Sequence, residues 1–351
     1  MPRSAIPTDL PPDRSARRML LLGGLFVGLT ALGLWAVQDA LGGTIRFDAR
    51  IFSARMIASV GALMALYLLA DGLRLYFTLR ALGETIAPGA MLRLVFINIF
   101  FSNITPLATG GGFAQVWYLR AHGVGVGRAM AATTIRTVLA VIVIFTLAPL
   151  ALLSLPELAG HPILGRISEA VALLILAYLA GFAVVLFRAG WLIAPIARLI
   201  GLGARIGLIG PERRDRWQEQ VSAELRDFSL SFRTYLGGPR RQVAASMLFT
   251  LVFLVSLFSF PALILTNLGH DVGYIDTTGK LVVVTFIMYF APTPGSAGIS
   301  EGVFAGLFAG QVPSGQLLLV IVAWRFATIY FGMLIGLILT QIEIARIGRR
   351  G

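Results

Sequence analysis

Two glycine- and proline-rich segments interrupt otherwise apolar stretches and carry side chains that could bind an anion. Residues 105–115 read TPLATGGGFAQ, and residues 291–301 read APTPGSAGISE. Each segment ends on a hydrogen-bonding side chain, and an arginine follows it further along the chain. In chain order these residues are Gln115, Arg136, Glu301 and Arg325. Guanidinium groups donate paired hydrogen bonds to phosphate, so each half of the chain offers the chemistry of a phosphate site.

The prolines Pro106, Pro292 and Pro294 predict a helix break within each segment, because proline lacks a backbone N–H and clashes with the preceding turn. Broken backbone at membrane depth is tolerated only where protein or a water-lined cavity covers it. A matched pair of such breaks in the two halves of a membrane protein indicates a transport site.

The glycines of the breaks have two readings. Helical arms are predicted to follow both glycine sets, and their free N–H groups would face the break and favour a lipid phosphate. The glycines concerned are Gly110, Gly111, Gly112, Gly295 and Gly298. The alternative is close helix packing, for which Gly302, Gly306 and Gly310 form a face of small residues. Both readings can hold on different residues.

The charged residues inside apolar stretches should find partners. Arg325 falls within the last predicted span, where a lone charge costs at least about 2.5–3.5 kcal/mol. Glu301 is its expected partner, in a functional pair or a purely structural one. The first-half counterpart is a neutral glutamine, so Arg136 is expected either to remain available to an anion or to flank a span. Asp71 and Arg74 can pair one turn apart, which favours a structural role.

Enzyme chemistry finds little support in the sequence. The histidines His122, His161 and His270 fall in predicted loops, and no metal-ligand spacing, phosphate-binding loop or nucleophile elbow is present. We therefore expect no catalytic residue, no bound metal and no cofactor.

The elements that must position these residues are membrane helices. Of the 351 residues, 57% are hydrophobic and 13% charged, about half the charged fraction of a soluble domain. An all-α, polytopic membrane protein is predicted. Its broken regions 91–122 and 280–312 are expected to be re-entrant hairpins, because each arm is too short to cross alone. The six full spans are predicted at 19–37, 56–78, 129–153, 168–187, 243–267 and 317–340.

The basic residues predict the orientation. The net charge is +12, and 23 of the 29 lysine and arginine residues fall in segments that this order of spans places on one side. Both termini are therefore expected in the cytoplasm, with no role for nucleic acid. The order span, span, hairpin, span then occurs twice with opposite orientation, which is the pattern of an inverted repeat. Chance spacing of glycine and proline is the alternative.

These spans predict one transmembrane domain, 19–345, between cytoplasmic tails 1–18 and 346–351. The first repeat covers about 19–155 and the second about 168–340. Residues 188–241 form a polar insert that is expected to lie on the inner surface as an amphipathic helix. The alternative is a docking surface for a cytoplasmic partner at 212–235, and a homo-oligomer is also left open.

Three runs of residues resemble one known family. They are INIFFSNITPLATGGGFAQV at 97–116, APTPGSAGISEG at 291–302 and AWRFATIYFGMLIG at 323–336. They resemble signatures of the lysylphosphatidylglycerol synthase transmembrane-region family, also called the flippase-like domain family. The resemblance implies a protein of the cytoplasmic membrane that moves or handles lipids. Because the sequence stops at Gly351, the soluble aminoacyltransferase domain of bifunctional members is not expected here, and neither is lipid aminoacylation. Gln115 departs from the family, which often has glutamate there.

The sequence thus predicts a flippase-like transporter of an anionic lipid or a lipid-linked precursor, in a bacterial or archaeal cytoplasmic membrane. Arg136 and Arg325 would bind the headgroup phosphate, and Glu301 would release Arg325 or carry a proton. One alternative is a membrane-embedded enzyme that uses Glu301 as a general acid or base on a lipid. The other is a non-transporting scaffold that docks partners through 188–241.

Overall fold

The computed structural model describes residues 47–154 and 230–348, together with parts of 24–39. Within these residues the regular structure is helical, and no strand longer than an isolated bridge is formed. The predicted tail 1–18 and span 168–187 lie outside the described residues, as do most of the insert 188–241 and about half of the span 19–37.

Besides the helical residues 30–36 and 230–236, nine α-helices have both ends described. They are α1 (Ala54–Ala81), α2 (Pro88–Ile104), α3 (Thr109–Ala121), α4 (Val126–Ser154), α5 (Arg240–Asn267), α6 (Tyr274–Met288), α7 (Ile299–Phe308), α8 (Ser314–Arg325) and α9 (Phe331–Gly348). A π-helical turn, Phe326–Tyr330, joins α8 to α9, so the two form one continuous rod.

Four helices are long and apolar enough to cross a membrane, where α8, α9 and the turn between them count as one. They are Ala54–Ala81, Val126–Leu152, Arg240–Asn267 and Ser314–Arg346. They confirm the predicted apolar helices at 56–78, 129–153, 243–267 and 317–340. Their buried faces pack into two large apolar clusters. One joins the start of α1 to α5, α6, α7 and α8, and the other lies around the turn between α1 and α2.

Both broken regions have the predicted form of a helix, a short irregular break and a second helix. In the first break Leu107 and Ala108 adopt left-handed backbone, with φ of 53° and 54°. In the second break Gly295, Ser296 and Gly298 have φ of 56°, 55° and 83°. Non-glycine residues rarely occupy this region, so the surrounding structure must hold both breaks in place.

Side-chain hydroxyls satisfy the backbone groups that the breaks leave without helical partners. The Thr105 hydroxyl accepts a hydrogen bond from the Gly110 N–H at 2.8 Å and donates to the Phe101 carbonyl at 2.7 Å. In the second break the Thr293 hydroxyl donates to the Ala297 carbonyl at 2.9 Å. Such local bonds let irregular backbone persist where no water supplies hydrogen bonds.

The contacts between helix ends show that the two broken regions start from opposite ends of the bundle. At the first end, Arg93 near the start of α2 pairs with Glu343 near the end of α9 at 3.1 Å. At the second end, the amide of Asn267, the last residue of α5, donates to the Ser59 hydroxyl near the start of α1 at 3.1 Å. The α2–α3 pair begins and returns at the first end, whereas the α6–α7 pair does so at the second.

Two charged residues, Lys280 and Asp48, lie at the second end. Lys280 is fully buried in α6, with its Nζ 3.2 Å from an Asp276 carboxylate oxygen. Asp48 lies before α1, where hydrogen bonds from Arg50 lower the pKa of its carboxyl.

Glycines allow close helix packing at a place other than the predicted one. A Cβ at Gly336 of α9 would overlap the Phe96 carbonyl of α2, and one at Gly332 would lie 3.0 Å from the Ile99 side chain. By contrast, a Cβ at Gly302, Gly306 or Gly310 would meet no described atom within 4 Å. Among the described residues this face of small residues therefore makes no close helix contact, and α7 buries Phe304 and Phe308 instead.

Candidate functional site

The two breaks contact each other and border one cavity of about 480 Å³. Leu107 and Ala108 line it from the first break, and Gly295 and Ser296 line it from the second. Helices α1, α2, α3, α4, α5 and α6 supply the remaining walls. Both glycine-rich segments that the sequence singled out therefore meet at a single site.

The cavity lies deep inside the bundle. Asn98 and Arg136 line it and are each about ten residues from the first-end terminus of their helices, which corresponds to about 15 Å. Met288 lines it from the end of α6, about 21 Å from the start of that helix at the second end. A charged ligand in this cavity would be far from both polar surfaces.

Two arginines, Arg74 and Arg136, form the charged wall of the cavity, and both pair with Asp71, which lies outside the lining. The Arg136 Nη2 lies 2.6 Å and 2.8 Å from the two Asp71 carboxylate oxygens. The Arg74 Nη2 lies 2.6 Å from Asp71 Oδ1, and the Arg74 guanidinium packs 3.8 Å above the Phe253 ring. All three charged side chains are buried. Two guanidinium groups share one carboxylate, so the wall carries a net charge of about +1 at neutral pH.

This cluster corrects one expectation and fulfils another. Arg136 was expected to lack a carboxylate partner, because its sequence counterpart to Glu301 is a glutamine. Its partner is instead Asp71, 65 residues earlier in the chain. The predicted Asp71–Arg74 pair is confirmed as a contact.

The arginines retain unused hydrogen-bond donors. Arg74 Nη1 and Arg136 Nε are buried, and neither has a hydrogen-bond partner among the described residues. Both residues line the cavity. Buried donors are nearly always satisfied, so these two enclosed N–H groups are exceptions within the described structure.

A neutral amide pair forms another polar wall. The Gln115 Nε2 donates to the Asn98 Oδ1 at 2.5 Å, joining α3 to α2. Gln115 is 3% exposed, and its Oε1 has no hydrogen-bond partner in the described part of the chain. Hydroxyl groups of Ser102, Thr133 and Thr137 complete this side of the cavity.

Glu301 and Arg325 form the predicted ion pair, at 2.8 Å between Arg325 Nε and Glu301 Oε1. Both side chains are completely buried. Glu301 Oε2 also accepts from the Gly298 N–H at 2.7 Å, and Arg325 Nη2 donates to the Gly295 carbonyl at 2.8 Å. The pair therefore fixes the backbone of the second break, and it lies behind the cavity rather than among its lining residues.

The predicted site residues thus divide into two groups. Arg136, Gln115, Gly112 and Gly295 line the cavity, as do the neighbours of Pro106 and Pro294. The residues outside its lining are Arg325, Glu301, Gly110, Gly111, Gly298, Pro106, Pro292 and Pro294.

Three glycines outside the lining have packing contacts instead. A Cβ at Gly110 would lie 2.6 Å from the Thr105 side chain, and one at Gly111 would overlap the Ser102 hydroxyl of α2. Gly298 lies against Gly33 in the helical segment 30–36. A Cβ on Gly33 would be 2.5 Å from the Gly298 Cα. These glycines hold helices close together, whereas Gly112 leaves open space at the cavity.

Sequence reasoning missed Arg74 and Asn98 as members of the site. The available signal was an Asp-x-x-Arg sequence and an asparagine inside apolar helices, where polar groups usually mark function. The described histidines lie elsewhere: His122 stacks on Tyr118, and His270 contacts Gln316 at 2.7 Å. Among the described residues no group of three or more potential ligands could hold a metal ion.

The comparisons with known proteins agree with this architecture. The family model described as lysylphosphatidylglycerol synthase TM region matches residues 20–336. A protein of Archaeoglobus fulgidus named UPF0104 membrane protein is 25% identical over 269 residues, which is 76% of this chain and 80% of the archaeal protein.

Proposed function

The chain belongs to the lysylphosphatidylglycerol synthase TM region family, and on this premise we propose that it moves an anionic lipid, or a lipid-linked precursor, between the leaflets of a cytoplasmic membrane. The observation that carries the proposal is the cavity between the two breaks, whose arginines give it a net positive wall. A phosphate supplies the negative charge that this wall lacks.

A lipid suits the cavity because only its headgroup needs a polar path. The cavity is polar on its charged and amide walls, while Leu107 and Phe113 beside the first break are 57% and 79% exposed. These exposed apolar side chains fit a lipid environment. The acyl chains would stay in the bilayer while the headgroup passes between the breaks.

The Glu301–Arg325 pair supports transport from behind the cavity. Because Arg325 is completely buried and bonds to the Gly295 carbonyl, we assign it to positioning the second break rather than to contacting phosphate. Arg74 takes the place that the sequence gave to Arg325, as the second guanidinium at the headgroup.

The orientation follows from the exposed arginines. At the first end the described arginines are Arg80, Arg93, Arg120, Arg128, Arg233, Arg240, Arg241 and Arg346, and at the second end they are Arg50 and Arg55. The positive-inside rule then places the first end in the cytoplasm. The α2–α3 and α6–α7 pairs would be re-entrant hairpins from opposite sides, within an inverted repeat of six full spans.

Cysteine labelling tests this orientation. Both Ala121, the last residue of the returning arm α3, and Ala309, which follows the returning arm α7, are exposed, and the native chain has no cysteine. We expect a membrane-impermeant thiol reagent to reach Ala121→Cys only from the cytoplasmic side and Ala309→Cys only from the opposite side. Labelling of both variants from one side would exclude oppositely oriented hairpins.

Translocation itself is tested in reconstituted vesicles. Labelled anionic lipid should change leaflets faster with the protein than without it, and Arg136→Gln should slow this movement at least about tenfold, since a charged hydrogen bond contributes about 1.5–3 kcal/mol. Asp71 keeps Arg74 as its partner in this variant, so the fold should persist.

Arg128→Gln is the matched control, because Arg128 lies on the same helix but its side chain is 56% exposed and pairs with Glu84 near the surface. Equal transport by both variants would remove Arg136 from the headgroup site. Folded protein that leaves every tested lipid in its leaflet would contradict transport, and a chemically altered lipid would favour the enzyme alternative.

A further inference from the structure

We propose that the first end of the bundle carries a separate site for a resident anionic phospholipid, on the outside of the bundle between α2 and α9. Arg93 and Arg346 form this interfacial site around the Glu343 carboxylate. None of these three residues lines the cavity between the two breaks. The lipid bound here is a ligand that joins two helices and is not the transported molecule, so the inference does not depend on transport.

Both arginines of the interfacial site pair with the same carboxylate oxygen. The Nη1 atoms of Arg93 and Arg346 lie 3.1 Å and 3.2 Å from Glu343 Oε1, so the two guanidinium groups lie side by side. The Glu343 side chain is 4% exposed, whereas the Arg93 and Arg346 side chains are 39% and 50% exposed. The group carries a net charge of about +1 at neutral pH, and its exposed part is cationic.

A phosphate matches this pair of guanidinium groups. Each arginine uses Nη1 for its hydrogen bond to Glu343, and neither pairs with a second carboxylate among the described residues. A phosphate supplies the missing negative charge, and its oxygens can accept from both groups at once. Basic sites between transmembrane helices at the cytoplasmic side bind anionic headgroups in this way, and the proposed orientation places the first end there.

An apolar stripe leads away from the arginines along α9. Leu334, Ile338 and Ile342 precede Arg346 at intervals of about one helical turn, and all three are exposed. One phospholipid can therefore place its phosphate between the arginines and an acyl chain along this stripe. A free phosphate ion would make only the first of these contacts, which favours a lipid as the ligand.

The close contact of α2 with α9 holds the interfacial site together. A Cβ at Gly336 of α9 would overlap the Phe96 carbonyl of α2, less than one turn from Arg93. The two helices therefore present their arginines from a fixed packing arrangement. A phosphate bound to both arginines adds a bridge between the first arm of the α2–α3 pair and α9, and a ligand that binds the folded state stabilises it.

Native mass spectrometry in a neutral detergent tests the site. The full-length protein carries Arg136→Gln, so that binding in the cavity is weakened and the interfacial site dominates the count of bound lipids. We expect titration with phosphatidylglycerol to give one tightly bound lipid. Phosphatidylcholine has the same phosphate but no net charge, and it should bind about tenfold more weakly.

Substitutions of opposite charge should have opposite effects. Arg93→Gln and Arg346→Gln should each weaken phosphatidylglycerol binding about tenfold, and each leaves Glu343 one partner, so the fold should persist. Glu343→Gln removes the carboxylate that competes with the phosphate and should tighten binding. Arg128→Gln is the matched control, because Arg128 is exposed at the same end but pairs with Glu84, and it should leave binding unchanged.

The outcomes separate this inference from the proposed function. Equal affinity for phosphatidylglycerol and phosphatidylcholine would overturn the site, as would weaker binding in the Glu343→Gln protein, which indicates a purely structural cluster. Glycerol 3-phosphate that binds as tightly as phosphatidylglycerol would overturn the lipid as its ligand. These measurements involve no movement of lipid between leaflets, so failure of transport in vesicles would leave the interfacial site standing.

Discussion

Replacing Arg325 with glutamine is expected to destabilise the folded protein by about 3–5 kcal/mol, because it leaves Glu301 as a buried and unpaired carboxylate. Both side chains are completely buried, and their Nε–Oε1 distance is 2.8 Å. Arg325 also donates a hydrogen bond to the Gly295 carbonyl. In the fraction of the Arg325→Gln protein that folds, the second break should therefore be displaced. Thermal unfolding in detergent and the yield of monodisperse protein measure the loss.

A double-mutant cycle identifies the source of this effect. Glu301→Gln should cost a similar amount, and the double variant should lose clearly less than the sum of the two single losses. Arg93→Gln with Glu343→Gln is the comparison cycle, since Arg93 is partly exposed and should couple more weakly to Glu343. Strictly additive losses at Glu301 and Arg325 would contradict their pairing.

Asp71→Asn is the second substitution with a large expected effect. It removes the only carboxylate that contacts Arg74 and Arg136 within the described structure, and it leaves two buried guanidinium groups facing each other. The loss should at least equal the roughly 3–5 kcal/mol of one broken buried pair. We expect little folded protein, and no lipid movement by what folds, because the donors that face the phosphate lose their common anchor.

The companion variants make this result specific. Asp71→Asn combined with Arg136→Gln should recover part of the folded yield, because only one buried cation then remains uncompensated. Asp48→Asn, which alters an exposed pair with Arg50, should retain nearly full stability. An Asp71→Asn protein with wild-type stability and transport would show that the cluster is not the charged core of the site.

Local rules were sufficient to predict the breaks and the Glu301–Arg325 pair. Proline and glycine disrupt helices wherever they occur, and a charge within an apolar span needs a partner nearby in the fold. These rules identified the two segments that meet at the cavity and the two charges behind the second one. They also gave the apolar helices that the structure describes.

The arrangement of the site could not be predicted because it depends on contacts distant in sequence. Asp71 pairs with Arg136 across 65 residues, and the choice depends on how α1 packs against α4. The packing glycines were assigned to α7 for the same reason. Small-residue spacing occurs at Gly302 and Gly306 as well as at Gly332 and Gly336, and only the packing of α9 on α2 distinguishes them.

The shared carboxylate of Asp71 has a consequence for how the chain is synthesised into its membrane. Arg74 follows Asp71 by one helical turn, so α1 can partition from the translocon as a helix whose buried charges already cancel. Arg136 is made 65 residues later, a delay of roughly 3–13 s at ordinary elongation rates. Arg136, which gives the cluster its net positive charge, therefore enters the membrane last, when the Asp71 carboxylate that it pairs with is already in place.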